Sequence, residues 1–319
     1  MDRLGQLDLF VAVAEIGSIS GAAEARGMSI AAASRTLAAL EERLGVLLVR
    51  RSTRTLSLTD EGGKLLVRAR SILADVADSE AELTGAALAP SGLLRVSASL
   101  SFALLHIAPR LPAYHALYPN VRVHVEVSNR YVDLIDAGID VAIRTREFEP
   151  DRAITIRRLA ETRRILTAAP AYLAKAGMPL HPLDLAQHAL LLYVYANNPN
   201  ELGFTRGAET VRVPAHGLLE SNDGQILRAA ALNGHGVLVQ PTYIVHDDVM
   251  AGRLVPVLDD WDLPRLRINF AYPTRKHLSA KVRSFIAFVA ADFEANAFTH
   301  RWTGATQRPA AGAPSCMGR

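Results

Sequence analysis

At 319 residues, half of them hydrophobic and 21% charged, the chain has the composition of a folded protein. This excludes intrinsic disorder and, at about 150 residues per domain, a single core. No apolar run nears the roughly 20 residues that span a bilayer, and Met1-Asp2-Arg3-Leu4-Gly5-Gln6 lacks the basic and apolar segments of a signal peptide, so a cytoplasmic protein without membrane contact is expected. A net charge of +3 identifies no partner by itself, and a single cysteine, Cys316, excludes a disulfide framework or a cysteine metal site within one chain.

In chain order, Leu4, Leu7, Phe10, Val11 and Ala14 recur at helical spacing, and Gly17 ends that helix. Ser18 is placed to cap a short second helix through Ala22, Ala23 and Ala25, with Gly27 as its stop. A third helix opens near Ser29 and runs through Ile30, Ala33, Leu37 and Leu40 to Leu44, before Gly45. Small alanine-rich helices with tight glycine joints describe a helix-turn-helix unit. The runs Val46 to Val49 and Leu56 to Leu58 then predict a β-hairpin wing with Arg50-Arg51-Ser52-Thr53-Arg54 between them. Arg43, Arg50, Arg51 and Arg54 form a basic island with no Asp or Glu between Arg43 and Leu58, the electrostatic footprint of phosphate contact.

Thr59 with Asp60 and Glu61 predicts a helix start, and the helix runs to about Leu88, ahead of Pro90-Ser91-Gly92. Leu65, Ala69, Ile72, Val76, Ser79 and Leu83 step by four and three along it, a seam suited to dimerisation; packing on its own domain is the competing role. From Leu93 on, strands alternate with helices as in an α/β domain. Strands are expected at 93–98, 121–127, 141–144, 190–195, 237–240 and 267–272, with an extended stretch at 154–166. Helices are expected at 101–118 with breaks at Pro109 and Pro112, at 132–137, from Tyr172, after Asn222, after Pro241 and over 278–295. Residues 299–319, rich in Ala, Pro, Gly and Thr, read as a disordered tail.

The first 62 residues resemble the LysR-type regulator family. The match lies in Phe10, Gly17-Ser18, Ala22-Ala23, Met28-Ser29, Ser34-Arg35, Leu40-Glu41, Leu44-Gly45, Leu47-Leu48, Arg50-Arg51 and Leu58-Thr59-Asp60-Glu61-Gly62. A looser likeness continues through Tyr118-Pro119, Gly138 to Arg144, Ala229-Ala230, Gly234-His235-Gly236 and Ala251 to Val255. Where that family usually has Gln-Pro after the Ser that opens the recognition helix, this chain has Ile30-Ala31, so contacts made by that glutamine do not carry over.

The resemblance implies an α/β protein with a winged helix-turn-helix over 1–59, a linker and dimerisation helix over 60–89, and an effector domain over 90–298. That domain is two-lobed, like the periplasmic solute-binding proteins, with lobe 1 about 92–162 and 266–298 and lobe 2 about 163–265. It also implies operator DNA and a small-molecule effector as partners and a homodimer or homotetramer as the assembly; RNA polymerase is a further candidate partner. DNA contacts are expected from Ser29, Ser34, Arg35, Arg50, Arg51 and Arg54. Arg35 suits guanine edges or a phosphate, and Arg51 and Arg54 suit phosphates or a narrow minor groove. Effector contacts are expected from Ser99, Ser101, Asn129, Arg144, Asn222 and Gln240, with ordinary helix capping as the competing role for the serines and for Asn222 with Gln225. Hydroxyls, helix-start amides and an arginine favour a small organic anion.

Catalysis has only fragments to stand on. Gly27-Met28-Ser29-Ile30-Ala31 lacks the strand and final glycine of a nucleophile elbow, and Gly234-His235-Gly236 precedes a strand instead of following one. His246-Asp247-Asp248 is an isolated metal-like cluster. The expectation is therefore a regulator without enzymatic activity, cofactor or metal, with a cleft-bearing enzyme or solute-binding protein carrying a DNA module as the alternative.

Overall fold

A computed structural model describes residues 2–51, 56–83, 90–130, 133–146, 154–274 and 278–304. Three helices open the chain: α1 (Arg3–Ile16), α2 (Ile19–Ala25) and α3 (Ile30–Leu44). Their starts are set by side chains that accept otherwise unpaired amides: Asp2 from Gly5, Ser18 from Gly21 and Ser29 from Ala32. Phe10, Val13, Ala22, Ala23, Ala33, Leu37 and Leu40 form the shared core, where the alanines let the helices approach closely.

The wing strands β1 (Val49–Arg51) and β2 (Leu56–Leu58) pair antiparallel, with Val49 opposite Leu58. The first strand begins at Val49 and not at Val46, because the Glu41 carboxylate at the end of α3 accepts the amides of Leu48 and Val49. Helix α4 (Asp60–Leu83) packs against this joint. Thr59 accepts the amide of Gly62 and donates to the Leu47 carbonyl, and a Cβ at Gly62 would lie 2.0 Å from the Leu48 carbonyl oxygen. Only glycine permits that approach.

Beyond the linker the chain forms two lobes. In the first, the sheet order is β4 (Val121–Val127), β3 (Gly92–Ala98), β5 (Val141–Arg146), β14 (Leu266–Pro273), β6 (Ile154–Thr162). In the second it is β11 (Gly217–Ser221), β8 (Leu190–Tyr193), β12 (Val237–Pro241), β7 (Arg164–Ala168), β13 (Val255–Val257). Each sheet has three parallel strands, then one antiparallel to them and an edge strand antiparallel to that one, and the chain crosses between lobes from β6 to β7 and returns into β14. The helix expected from Tyr172 is α7 (Pro170–Ala176). Helices α8 (Gly224–Leu232), α9 (Thr242–Met250) and α10 (Ala280–Ala295) cover the faces.

Several expectations are corrected. The predicted helix at 101–118 is a composite of α5 (Leu100–Phe102), a π-turn at Ala103–Ile107, a 3₁₀ turn at Ala108–Arg110 and α6 (Leu111–Leu117), because Pro109 and Pro112 have no amide to donate. Over 133–138 there are turns and no helix, since the Asp133 carboxylate takes the amides of Ile135 and Asp136; Val132 lies outside the described residues. The hairpin of β9 (Glu201–Arg206) and β10 (Glu209–Pro214) was not anticipated, nor were β11 and β13. The supposed tail begins with a packed helix, α11 (Phe298–Thr303), while 305–319 lie outside the described residues. Phe298 and Trp302 are one helical turn apart, and both bury against Phe293 and His106. Burial in this aromatic cage pushes His106 down to about 4, so the ring is neutral near pH 7.

Trp302 is 1% exposed and stacks on Phe298 with centroids 4.7 Å apart. Trp302→Ala is expected to cost roughly 3–5 kcal/mol of stability, and Trp302→Phe markedly less. Urea unfolding followed by circular dichroism checks this, and equal midpoints for parent and Trp302→Ala would contradict it.

Candidate functional site

Helix α3 and the wing carry the cationic and hydroxyl groups singled out in the sequence. Ser29 is the N-cap of α3, its Oγ 3.2 Å from the Ala32 amide, so its hydroxyl already has a capping role. Ser34 is half-buried one turn on, and Arg35 is exposed beside it. Arg50 is exposed on β1; Arg51 ends that strand with its side chain outside the description, and Arg54 lies outside the described residues. Arg43 of the basic island donates to Gln6 Oε1 at 3.0 Å and ties α3 to α1. The face that remains holds Ile30, Ala31, Arg35 and Ala38, all exposed.

The seam of α4 divides. Ala69 is buried in the core of the helix-turn-helix, because α4 lies along α1 there, so it is removed from the dimer seam; Leu65 packs half-buried against the same core, the role that competed with dimerisation. Ile72, in contrast, is 43% exposed and Val76 is half-buried. The side chains of Ser79 and Leu83 lie outside the description.

Between the lobes is a cleft of about 640 Å³, within the range for small-molecule sites. Ser99, Ser101, Asn129, Arg144 and Gln240 line it, as expected from the sequence. Ser99 caps α5, accepting the Phe102 amide at 3.2 Å, and shares a hydrogen bond with the buried Tyr243 hydroxyl, which also bonds Thr145. Burial is the main cause of the upward shift of the Tyr243 phenol, so it stays protonated. Ser101 Oγ accepts from Gln225 Nε2 at 3.0 Å, and Asn129 Nδ2 donates to Asp223 at 2.9 Å, so both join the lobes. Gly224, the first residue of α8, sits so close to these groups that an added Cβ would lie 3.0 Å from Ser101 Oγ and 3.3 Å from Gln240 Oε1.

Gln240 is 3% exposed and its Nε2 has no hydrogen-bond partner among the described residues. An amide donor buried in this way costs free energy until an acceptor meets it.

Asn222 does not join the group. The residue that caps α8 is Asp223, which accepts the amides of Gln225 and Ile226, while Asn222 is exposed and hydrogen-bonds the Tyr195 hydroxyl. The expected Asn222–Gln225 capping box is corrected accordingly. Sequence reading also passed over three cleft arginines, Arg130, Arg146 and Arg164. The alternation Arg144-Thr145-Arg146 at the end of β5 was the available signal for one of them. Arg130 Nε donates to Tyr195 Oη at 2.7 Å, which lowers the tyrosine and raises the guanidinium. Burial pushes Tyr193 up to about 12. With Arg144 the cleft is lined by four arginines and, among the described residues, by no carboxylate.

Of His246-Asp247-Asp248, His246 Nδ1 lies 3.0 Å from Asp247 Oδ1 while Asp248 is engaged elsewhere. Asp248 is buried and held by Arg228 and Arg253, and no described group of His, Cys, Asp and Glu has the arrangement of a metal site. Among the described residues no helix is long and apolar enough to cross a membrane.

Comparison with known proteins agrees with this layout. Residues 4–63 match the family model for bacterial regulatory helix-turn-helix proteins of the lysR family, and residues 88–294 match the LysR substrate binding domain. The chain is 32% identical to the transcriptional regulator CrgA of Neisseria meningitidis serogroup C over 91% of its length and 97% of the relative's. It is 33% identical to an HTH-type transcriptional repressor of Pseudomonas aeruginosa, covering 93% of this chain and 94% of that one. The full-length structure of AphB, the Vibrio cholerae virulence activator, superimposes with a TM-score of 0.58 at 29% identity over 91% of this chain and 99% of that one. The chain is a member of the LysR family of transcriptional regulators, with a helix-turn-helix DNA-binding domain and an effector-binding domain.

Proposed function

We propose that the protein binds operator DNA as a homodimer or homotetramer through α3 and the wing, and that a small organic anion in the interlobe cleft modulates operator binding or activation. The observation that carries the anion reading is the buried, unpartnered Gln240 amide donor in a cleft lined by four arginines and no carboxylate among the described residues. A carboxylate supplies the acceptor that Gln240 lacks and gains charge-assisted hydrogen bonds from guanidinium groups. Ser99, Ser101, Asn129 and Arg144 are the further candidate contacts. Such a regulator works in the cytoplasm at promoters, with RNA polymerase as a candidate partner. The domain limits that fit this reading are 1–59, 60–89 and about 90–304, the last including α11.

For DNA, exposed Arg35 and Arg50 support contact by α3 and β1. Arg50→Ala is expected to weaken binding at every sequence and to flatten the dependence of log K on log salt by about 0.9 for each phosphate it no longer neutralises, whereas Arg35→Ala relaxes sequence discrimination. Binding isotherms at several salt concentrations decide, and parental slopes and discrimination in both variants would refute the interface.

For assembly, Ile72 is the exposed part of the α4 seam. Ile72→Glu places like charges at a two-fold contact and is expected to dissociate the oligomer; an unchanged mass by light scattering removes α4 from the interface.

For sensing, Ser99→Ala combined with Arg144→Ala is expected to weaken a bound carboxylate about tenfold or more while leaving ligand-independent operator binding near parental. Calorimetry across a panel of small carboxylates reads the first effect and DNA binding the second. A carboxylate that binds both proteins equally well would put the sensor elsewhere.

A further inference from the structure

The start of α3 presents an isoleucine to solvent. Ile30 is the first residue of the helix, directly after the Ser29 cap, and it is 59% exposed. Nothing about helix stability asks for it there, since a β-branched side chain is a poorer helix former than most and its exposed surface gains no burial. Helix Cα–Cβ bonds tilt toward the N-terminus, so a side chain in the first turn projects toward whatever the helix end approaches. In a helix-turn-helix the N-terminal residues of the second helix are the ones that reach base edges.

The composition of α3 narrows what it can read. From Met28 to Leu40 the sequence is MSIAAASRTLAAL, with no Asn or Gln to bond adenine, no Asp or Glu to bond cytosine and one arginine for guanine. Ser29 is engaged as the cap and Ala33 and Leu37 are buried in the core. What the exposed first turns offer, besides Ser34 and Arg35, is apolar surface: Ile30, Ala31 and, further on, Ala38. The one apolar feature of the major groove is the thymine C5-methyl group.

We propose that Ile30 is a specificity-determining residue that packs on a thymine methyl in each operator half-site, so that α3 reads sequence largely by apolar contact, with Arg35 as its polar reader. The inference rests on α3 being the helix that enters the major groove.

The test uses full-length protein and a preferred site selected from a random DNA library. Each thymine of that site is replaced in turn by uracil, which removes the methyl and keeps every hydrogen-bonding group. The expected result is a rise in Kd of about three- to tenfold at one symmetry-related position per half-site. That penalty disappears in Ile30→Ala and is retained in part in Ile30→Val. The salt slope of Ile30→Ala stays parental, because no phosphate contact is touched. A parent protein indifferent to uracil at every position overturns the proposal without any variant being made, as does a penalty that persists in folded Ile30→Ala. Ile30→Ala that shifts the oligomeric mass and leaves all DNA readouts unchanged also overturns it, by assigning the side chain to a protein contact. If Arg35→Ala and Arg50→Ala leave DNA binding untouched, α3 is not the reading helix; uracil indifference with those variants impaired removes Ile30 alone.

Discussion

One guanidinium fastens both chain crossings between the lobes. Arg163 stands where the chain passes from β6 to β7, and it is 5% exposed. Its side chain donates to Asp262 at 2.8 Å and to Asp259 at 3.1 Å, both on the segment that returns toward the first lobe, and to the backbone carbonyls of Asp259 and Gly304. Its own amide bonds the Trp302 carbonyl, and its carbonyl accepts from the amide and hydroxyl of Thr242 at the start of α9. One residue therefore fastens the outgoing crossing, the returning crossing, the C-terminal helix and the second lobe. A buried guanidinium tolerates such a place only with its charge paired and its donors satisfied, and removing one carboxylate partner from a site of this kind typically costs about 3–5 kcal/mol.

The geometry of the cleft follows from that anchor. Ser99, Ser101, Asn129 and Arg144 come from one lobe and Gln240, Tyr243 and Gly224 from the other, so the separation of the walls is set by the crossings beneath them. Direct ties across it are short polar ones, among them Gln225 to Ser101, Asn129 to Asp223, Ser99 and Thr145 to Tyr243, and Arg130 to Tyr195. The buried Asp223 carboxylate beside the cleft is stabilised because it caps α8, where two amides and the helix dipole meet its charge. A ligand bridging both walls therefore acts on groups that already connect the lobes. It alters DNA affinity only to the extent that one arrangement of the assembled copies binds it better than another.

How far the sequence revealed this depends on the length scale of each signal. Caps and stops lie within a few residues of what they control, and Ser18, Ser29, Gly17 and Gly45 were readable for that reason. Five of the six expected effector residues meet in the cleft because strand ends converge there in a two-lobed α/β fold, which the resemblance supplied. Asn222 failed because two neighbouring residues, Asn222 and Asp223, can each start a helix, and the choice went to the carboxylate that Asn129 reaches from 94 positions away. Arg163 and Arg164 are adjacent in the sequence, yet one is buried as the anchor and the other faces the cleft. No local pattern separates them. Trp302 was lost to the composition of the residues after it, though Phe298 and Trp302 at helical spacing were a visible apolar pair.

The two halves of the protein meet along α4, and the contacts there limit how a signal can travel. At its start the helix is locked to the wing root through Gly62 and Thr59 and to α1 through Ala69 and the Arg70–Glu15 pair. On the same turn as Ala69 and Arg70, Val67 abuts Gly138 and Arg68 pairs with Asp136, both in the turn before β5. A continuous helix of 24 residues is a rod of about 36 Å, which shifts or rotates as a unit more readily than it bends without a proline or π-bulge in its interior. The exposed Arg68–Asp136 pair contributes little stability, so the attachment of α4 to the effector lobe is weak beside its attachment to the DNA-binding core. Both attachments lie on one turn of α4, so this helix is the element through which the position of the effector lobe bears on that of the helix-turn-helix. On the function proposed above, ligand control would act on the spacing and orientation of paired DNA-binding domains and leave the fold of α3 intact.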